Sequence, residues 1–260
     1  MTQTERRHFL IRALLAESPR YRDMAIPADA QGQRELLRAL MNVREPAPVG
    51  AEFLAVQDAY LAQRLRERGV TDAEALPELC PQISLWRGDI TLLGADAIVN
   101  AANSGMTGCY APLHGCIDNQ IHTYAGVELR LACAELMERQ GHPEPTGCAK
   151  ITRGYCLPSR YVLHTVGPIV NGPLTKKQER QLASCYEACL ALAAENDLRT
   201  VAFCCISTGV FGFPKRRAAE IATETVRGFL AEHPGMRVIF NVFLAEDEAI
   251  YREILTEEDA

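Results

Sequence analysis

The chain has 260 residues, 48% hydrophobic and 23% charged, which are the proportions of a soluble globular protein with one large domain and room for an appendage. A net charge of −6 with no Lys/Arg block excludes an electrostatically driven nucleic-acid platform, so no nucleic-acid partner is expected. The apolar run at residues 9–15 is broken by Arg12 and too short to span a membrane, and ten cysteines without an export signal point to a reducing compartment; no membrane attachment and a cytoplasmic location are expected.

The first third reads as helical. Residues 4–17, 31–44 and 53–65 carry apolar side chains at helical spacing, with Thr4 as a candidate cap and Gly69 ending the third run. Thr71-Asp-Ala-Glu74 has the pattern of a capping box before a short turn. After Cys80-Pro81 short apolar runs alternate with helical stretches. Strands are expected at residues 83–86, 97–99, 149–152, 161–166, 200–206 and 236–244. Helices are expected at 118–140, 177–196, 214–232 and, after the last strand, to about residue 255. Alternation of this kind predicts an α/β fold with a mostly parallel sheet covered on both faces. The chain is expected to divide into a helical extension, residues 1–78, and an α/β domain, residues 79–260.

In such sheets ligands sit where strands run into helices, and three of these junctions have unusual composition. The first is a Gly/Pro-punctuated loop carrying Cys109, His114 and Cys116. Two thiolates and an imidazole suit zinc, and three local ligands leave a fourth position open, as catalytic zinc sites do. Cys148 or Cys156 closing the shell would make the ion structural instead. Asp118, two residues on, has either a chemical role beside the metal or a plain one as a helix N-cap. His122 is expected to pack, and His164, inside a strand, to satisfy backbone groups.

The second junction is Ser207-Thr-Gly-Val-Phe-Gly-Phe-Pro214, whose glycines let the backbone approach a diphosphate while Phe211 and Phe213 face a sugar or base. Its bland alternative is a tight turn with a core Phe. The third is Gly88-Asp89-Ile90-Thr91, where Asp89 either accepts from an exocyclic amine or simply caps a turn. Asn100 and Asn103 add amides able to both donate to and accept from ribose hydroxyls.

Gly88-Asp-Ile-Thr, Ala97-Ile-Val-Asn-Ala-Ala-Asn103, Ile117-Asp-Asn-Gln-Ile-His122 and Ile206-Ser-Thr-Gly-Val-Phe-Gly-Phe-Pro214, in that order, resemble a macrodomain, an ADP-ribose-binding α/β/α sandwich with a mixed, mostly parallel sheet. The resemblance spans about residue 81 to the end. The glycine run usual in hydrolytic members is displaced here by the longer Gly108–Cys116 loop, which resembles the zinc-dependent branch. That branch carries a Cys-x4-His-x-Cys site, and the helical extension also fits it. The resemblance implies zinc as cofactor on Cys109, His114 and Cys116. It implies that Asp89 and Ile90 hold adenine, and that Ser207, Thr208, Gly209, Val210 and Phe211 wrap the diphosphate and distal ribose. Phe243 would stack on adenine, and Asn103 and Asp118 would act at the scissile bond. The activity implied is removal of mono-ADP-ribose from modified protein side chains, with acidic acceptors. A lipoyl-carrier protein in a sirtuin-linked system is the associated substrate. The alternatives are an ADP-ribose reader with a structural zinc, an O-acetyl-ADP-ribose deacetylase, and a redox sensor built on Cys109 and Cys116.

Overall fold

The computed structural model describes residues 1–257. Three helices come first: α1 (Gln3–Glu17), α2 (Ala30–Val43) and α3 (Ala51–Arg68). Helix α1 starts earlier than Thr4 because Thr2 and Glu5 close a reciprocal capping box, and Asp29 caps α2. The three helices bury Leu10, Ile11, Leu37, Leu40, Phe53 and Tyr60 in one small core, and that core extends onto Val127 of a later helix. The helical extension thus has its own apolar centre and leans on the rest of the chain.

The remaining strands are β1 (Thr71–Asp72), β2 (Ile83–Arg87), β3 (Leu93–Gly94), β4 (Ala97–Ala101), β5 (Ala149–Arg153), β6 (Tyr161–Thr165), β7 (Thr200–Phe203) and β8 (Arg237–Val242). The remaining helices are α4 (Ile117–Ala125), α5 (Val127–Gln140), α6 (Lys176–Glu195), α7 (Lys215–Glu232) and α8 (Ala245–Glu257). The main sheet has the order β2-β8-β7-β4-β6-β5, parallel throughout except that β5 runs antiparallel to β6. The central strands are mostly apolar, Asn100 of β4 and Thr200 of β7 being the polar exceptions, and β7 and nearly all of β4 are buried. A parallel strand covered on both faces has no solvated side, so no alternation appears. Helices α4 and α5 pack on β4 and β5, α6 on β5 and β6, and α8 on β2 and β8, with α7 between α6 and α8, giving the α/β/α sandwich.

Three expectations are corrected. Residues 118–140 form two helices, because Gly126 at φ 93° breaks the run. A Cβ there would lie 2.6 Å from the Gln57 side chain, whose Oε1 accepts from the Val127 amide at 2.9 Å and opens α5. The cap comes from α3, seventy positions away, so no local pattern announces it. Residues 71–72 are extended, β1 pairing in parallel with β3 and joining the end of α3 to the entry of the sheet, and the short turn that follows is capped by Asp72, whose Oδ1 accepts from Glu74 N at 3.0 Å, rather than by Thr71. The strand expected over 200–206 ends at Phe203, and the residues beyond it bend into the site. Among the described residues, no helix is long and apolar enough to cross a membrane.

Candidate active site

The carboxyl ends of β2, β8, β7 and β4 are neighbours in the sheet, so the junctions read as chemical are laid out in a row. At one end the Gly88 amide donates to Val242 O at 3.1 Å, and Asn241 Nδ2 donates to Gly88 O at 3.0 Å. This sets the turn bearing Asp89 beside Phe243, which is 74% exposed at the end of β8. Asp89 begins a short 3-10 turn (Ile90–Leu92), accepting from the amide and hydroxyl of Thr91 through Oδ1. Its Oδ2 is held by Arg68, the last residue of α3. That guanidinium lies 3.8 Å from the ring centroid of Tyr124. Ile90 is buried beneath the turn.

The middle of the row is the loop after β7. Ser207 sits at φ 65° and Gly212 at φ 67°, and Phe213 N donates to Ser207 O at 3.0 Å, closing a compact turn. Val170 N donates to Phe211 O at 2.8 Å. The amides of Gly209, Val210 and Phe211 donate to nothing among the described residues, and nothing lies within 4 Å of where a Gly209 Cβ would be. Consecutive free N–H groups ahead of a helix form an anion-binding concavity. Thr208 is tied to Cys205 O, and Val210 is 80% exposed. Phe213 is 2% exposed and belongs to the core, so the expectation that it faces a ligand is corrected.

The loop after β4 forms the other end. Asn100, fully buried, donates to Asp118 Oδ1 at 2.8 Å. Asn103 Nδ2 donates to Asp118 Oδ2 at 3.3 Å and to Gly108 O at 3.0 Å, while its Oδ1 accepts from Gly105 N. Asp118 is not the N-cap of α4. Cys116 is, with Sγ accepting from the Asn119 amide at 3.4 Å. Burial raises the Asp118 pKa to about 6, against the Asn100 bond, the Arg130 charge and the Asn103 bond, which lower it.

Cys109 Sγ lies 3.6 Å from His114 Nδ1, and the donor atoms of Cys109, His114 and Cys116 all fall within 4.8 Å of one another. A tetrahedral zinc with Zn–S about 2.3 Å and Zn–N about 2.0 Å has a ligand-to-ligand edge of about 3.6 Å, so the trio fits the ion. Burial, reinforced by the Cys109 sulfur, pushes the Cys116 thiol up to about 11. A cation is what would let both sulfurs ionise together. Neither Cys148 nor Cys156 joins the trio: Cys148 is exposed, and Cys156 donates to Asp58.

Beneath Asp118 lie His122, Cys133 and His164, a second close group that is wholly buried. His164 bonds through both ring nitrogens, to Asn100 at 3.1 Å and to Thr152 Oγ1 at 2.8 Å. Its partners are side chains, not the backbone groups expected. Burial drives His164 down to about 3, so it is neutral.

Several residues that hold the site escaped the sequence reading. Arg38 of α2 donates to His114 O at 2.7 Å and to Asn119 Oδ1 at 2.8 Å. Asn42 Oδ1 accepts from Leu113 N at 3.0 Å, fixing that residue at φ 58°. Asn119 Nδ2 donates to Cys109 O and Ala111 O, and Arg130 stacks over Tyr110 at 4.2 Å. The helical extension therefore grips the loop that carries the Cys–His–Cys trio.

Residues 99–222 match the Macro domain family. A Treponema medium protein named "Protein-ADP-ribose hydrolase" is 54% identical over 261 residues, covering 98% of this chain and 100% of that protein. This chain belongs to the macrodomain family. Among solved structures, the Trypanosoma brucei macrodomain in complex with ADP-ribose superposes with a TM-score of 0.65 at 34% identity, covering 83% of this chain and 94% of that one. The Oceanobacillus iheyensis macrodomain with ADP gives 0.63 at 41% identity, covering 68% and 91%. The macrodomain thus shares its fold with proteins whose structures hold ADP or ADP-ribose.

Proposed function

We propose that this macrodomain hydrolyses the bond between mono-ADP-ribose and an acidic side chain of a modified protein, as a zinc enzyme. The carrying observation is the Cys109–His114–Cys116 trio, at zinc spacing, on the same loop as the Asn103–Asp118 bond. Names borne by relatives such as the Treponema protein support the hydrolase reading.

The row of junctions matches the ligand end to end. Asp89, Ile90 and Phe243 receive the adenine, with Arg68 moving its hydrogen bond aside or sharing Asp89. The free amides of Gly209, Val210 and Phe211, flanked by Ser207 and Thr208, take the diphosphate. Asn103 meets the distal ribose. Both of its amide hydrogens are committed and Oδ1 takes only the Gly105 amide, so that oxygen can still accept from a ribose hydroxyl. Asp118 accepts an amide on each carboxylate oxygen, which makes it the post that fixes Asn100 and Asn103 around the reacting sugar. Zinc held by Cys109, His114 and Cys116 supplies Lewis acidity at this end of the row. Water adds across the linkage, freeing ADP-ribose and restoring the carboxyl group.

The first 78 residues act as a brace for this loop. Ten free thiols suit a reducing cytoplasm. The lipoyl-carrier protein implied by the resemblance is the first acceptor to try.

The test incubates zinc-loaded protein with a carboxyl-linked ADP-ribosylated acceptor and follows free ADP-ribose, with chelator and with zinc restored. Release that stops with chelator and returns with zinc supports the proposal. Tight ADP-ribose binding without release identifies a reader. Faster turnover of O-acetyl-ADP-ribose than of the protein identifies a deacetylase.

A further inference from the structure

A cleft of about 310 Å³ opens between α2, α3 and the start of the sheet domain, outside the row of strand ends. Its walls bear Arg34, Arg38 and Arg64 against a single acid, Glu35, in a chain whose net charge is −6. The local sign is therefore opposite to that of the molecule. Arg64 is paired with Glu67, but the other two arginines keep unused donors. Arg34 donates to Gln31, a neutral amide, and the Nε of Arg38 is buried with no hydrogen-bond partner. Between the charges the accessible apolar surface comes from Leu113, which is 42% exposed, and part-buried Tyr124, while Leu37, Leu61 and Tyr60 floor the cleft from the helical core.

The cleft ends on the catalytic loop. Leu113, which immediately precedes His114, lines it, is 42% exposed, and is held in a left-handed conformation by Asn42. A left-handed backbone is strained for an L-residue, so a large apolar side chain kept there needs a compensating contact. Arg38 bridges the same places, lining the cleft while donating to His114 O.

We infer that this cleft docks the polypeptide of the ADP-ribosylated substrate, gripping an acidic segment beside the modified residue. Guanidinium groups bind carboxylates by paired N–H donors, and the apolar wall takes the intervening side chains. A lone phosphate would use the arginines but leave the exposed Leu113 side chain without a partner; a peptide uses both. The inference rests on the hydrolase reading, and it adds what that reading lacks, a determinant for the protein half of the substrate.

The experiment compares the full chain, zinc-loaded, on three substrates: a peptide with ADP-ribosyl-glutamate flanked by acidic residues, the same peptide with alanine flanks, and O-acetyl-ADP-ribose. The variant is Arg34→Glu with Arg64→Glu, neither of which touches the loop or the row. KM for the acidic peptide should rise about tenfold or more with kcat nearly unchanged, while the other two substrates stay within about twofold. Added salt should raise KM for the acidic peptide alone. Equal KM for acidic and alanine-flanked peptides in the unmodified chain overturns docking, and so does a double variant that behaves normally on all three. The milder Arg34→Gln with Arg64→Gln, with a thermal melt, covers a charge reversal that fails to fold. If no substrate turns over, the hydrolase reading fails by itself. Docking is then read by anisotropy of a fluorescein-labelled alternating Glu-Ala peptide, which binds at low salt and is released by the double variant; no binding overturns it.

Discussion

Two loops of one sheet solve opposite problems. The loop after β4 carries its chemistry on side chains, and side chains from elsewhere determine its shape: Arg38 and Asn42 from α2, Asn119 from α4, Arg130 from α5. The loop after β7 offers main-chain amides, and its shape follows mainly from its own turns at Ser207 and Gly212, with one outside bond from Val170 N to Phe211 O. A metal would need three donor atoms placed to within tenths of an ångström, and the outside bracing of the loop after β4 suits that demand. A diphosphate needs only a run of N–H groups, which a short turn provides unaided. Substitutions should separate the two loops cleanly.

The largest effect belongs to Cys116→Ala. Turnover should fall more than about 100-fold, beyond what loss of an outer-shell partner costs. Zinc measured by elemental analysis should drop to background, while ADP-ribose affinity stays within about tenfold because the amides after β7 are untouched. Full activity without metal would end the zinc mechanism. One step outward, Arg38→Ala should weaken zinc by about 10–100-fold in a chelator competition, the usual effect of removing a group that orients a ligand. Unchanged affinity would mean the helical extension does not brace the loop.

Acid should loosen the floor under the first loop. His164 is held down to about 3 from an ordinary 6.5 by burial, so the unfolded chain binds a proton that the native one refuses. Stability from keeping the ring neutral is complete above pH 6.5 and is lost as pH falls from there toward 3, on the order of 3 kcal/mol by pH 4. His164→Gln can keep a side-chain bond to Asn100 without titrating, so its melting temperature should depend less steeply on pH through that window. Parallel slopes would reassign the acid sensitivity.

How much of this was legible follows from the range of the interactions. The α/β sandwich shows in buried runs such as 200–203 and in amphipathic stretches, because those patterns are local. The Cys109–His114–Cys116 spacing was visible for the same reason. The bracing was not. Arg38 and His114 are 76 positions apart, and Gln57 and Val127 are 70, and an arginine on a helix face looks like any solvated charge until its partner arrives. The split between α4 and α5 hides in the same way, since Gly126 inside a helical pattern shows its purpose only against Gln57. Asp89 was readable as a turn residue, but its link to Arg68 joins α3 to the turn after β2 and needed the fold.

The second loop gives smaller effects, set by backbone. Gly212→Val places a β-branched residue at φ 67°, with Cβ 3.1 Å from Val170 O. Strain of about 1–2 kcal/mol should reduce ADP-ribose affinity roughly tenfold by calorimetry. Val210→Pro removes one free donor and should cost a similar factor, since a hydrogen bond to a charged group contributes about 1.5–3 kcal/mol.

The smallest effect is the sharpest test of the contrast. Val210→Ala removes most of a side chain that is 80% exposed and leaves its amide in place. If the loop binds through backbone, affinity for ADP-ribose should stay within about twofold, as for surface substitutions generally. A loss comparable to that of Val210→Pro would show that the isopropyl group closes over the ligand as a lid. The loop after β7 would then depend on side chains just as the loop after β4 does.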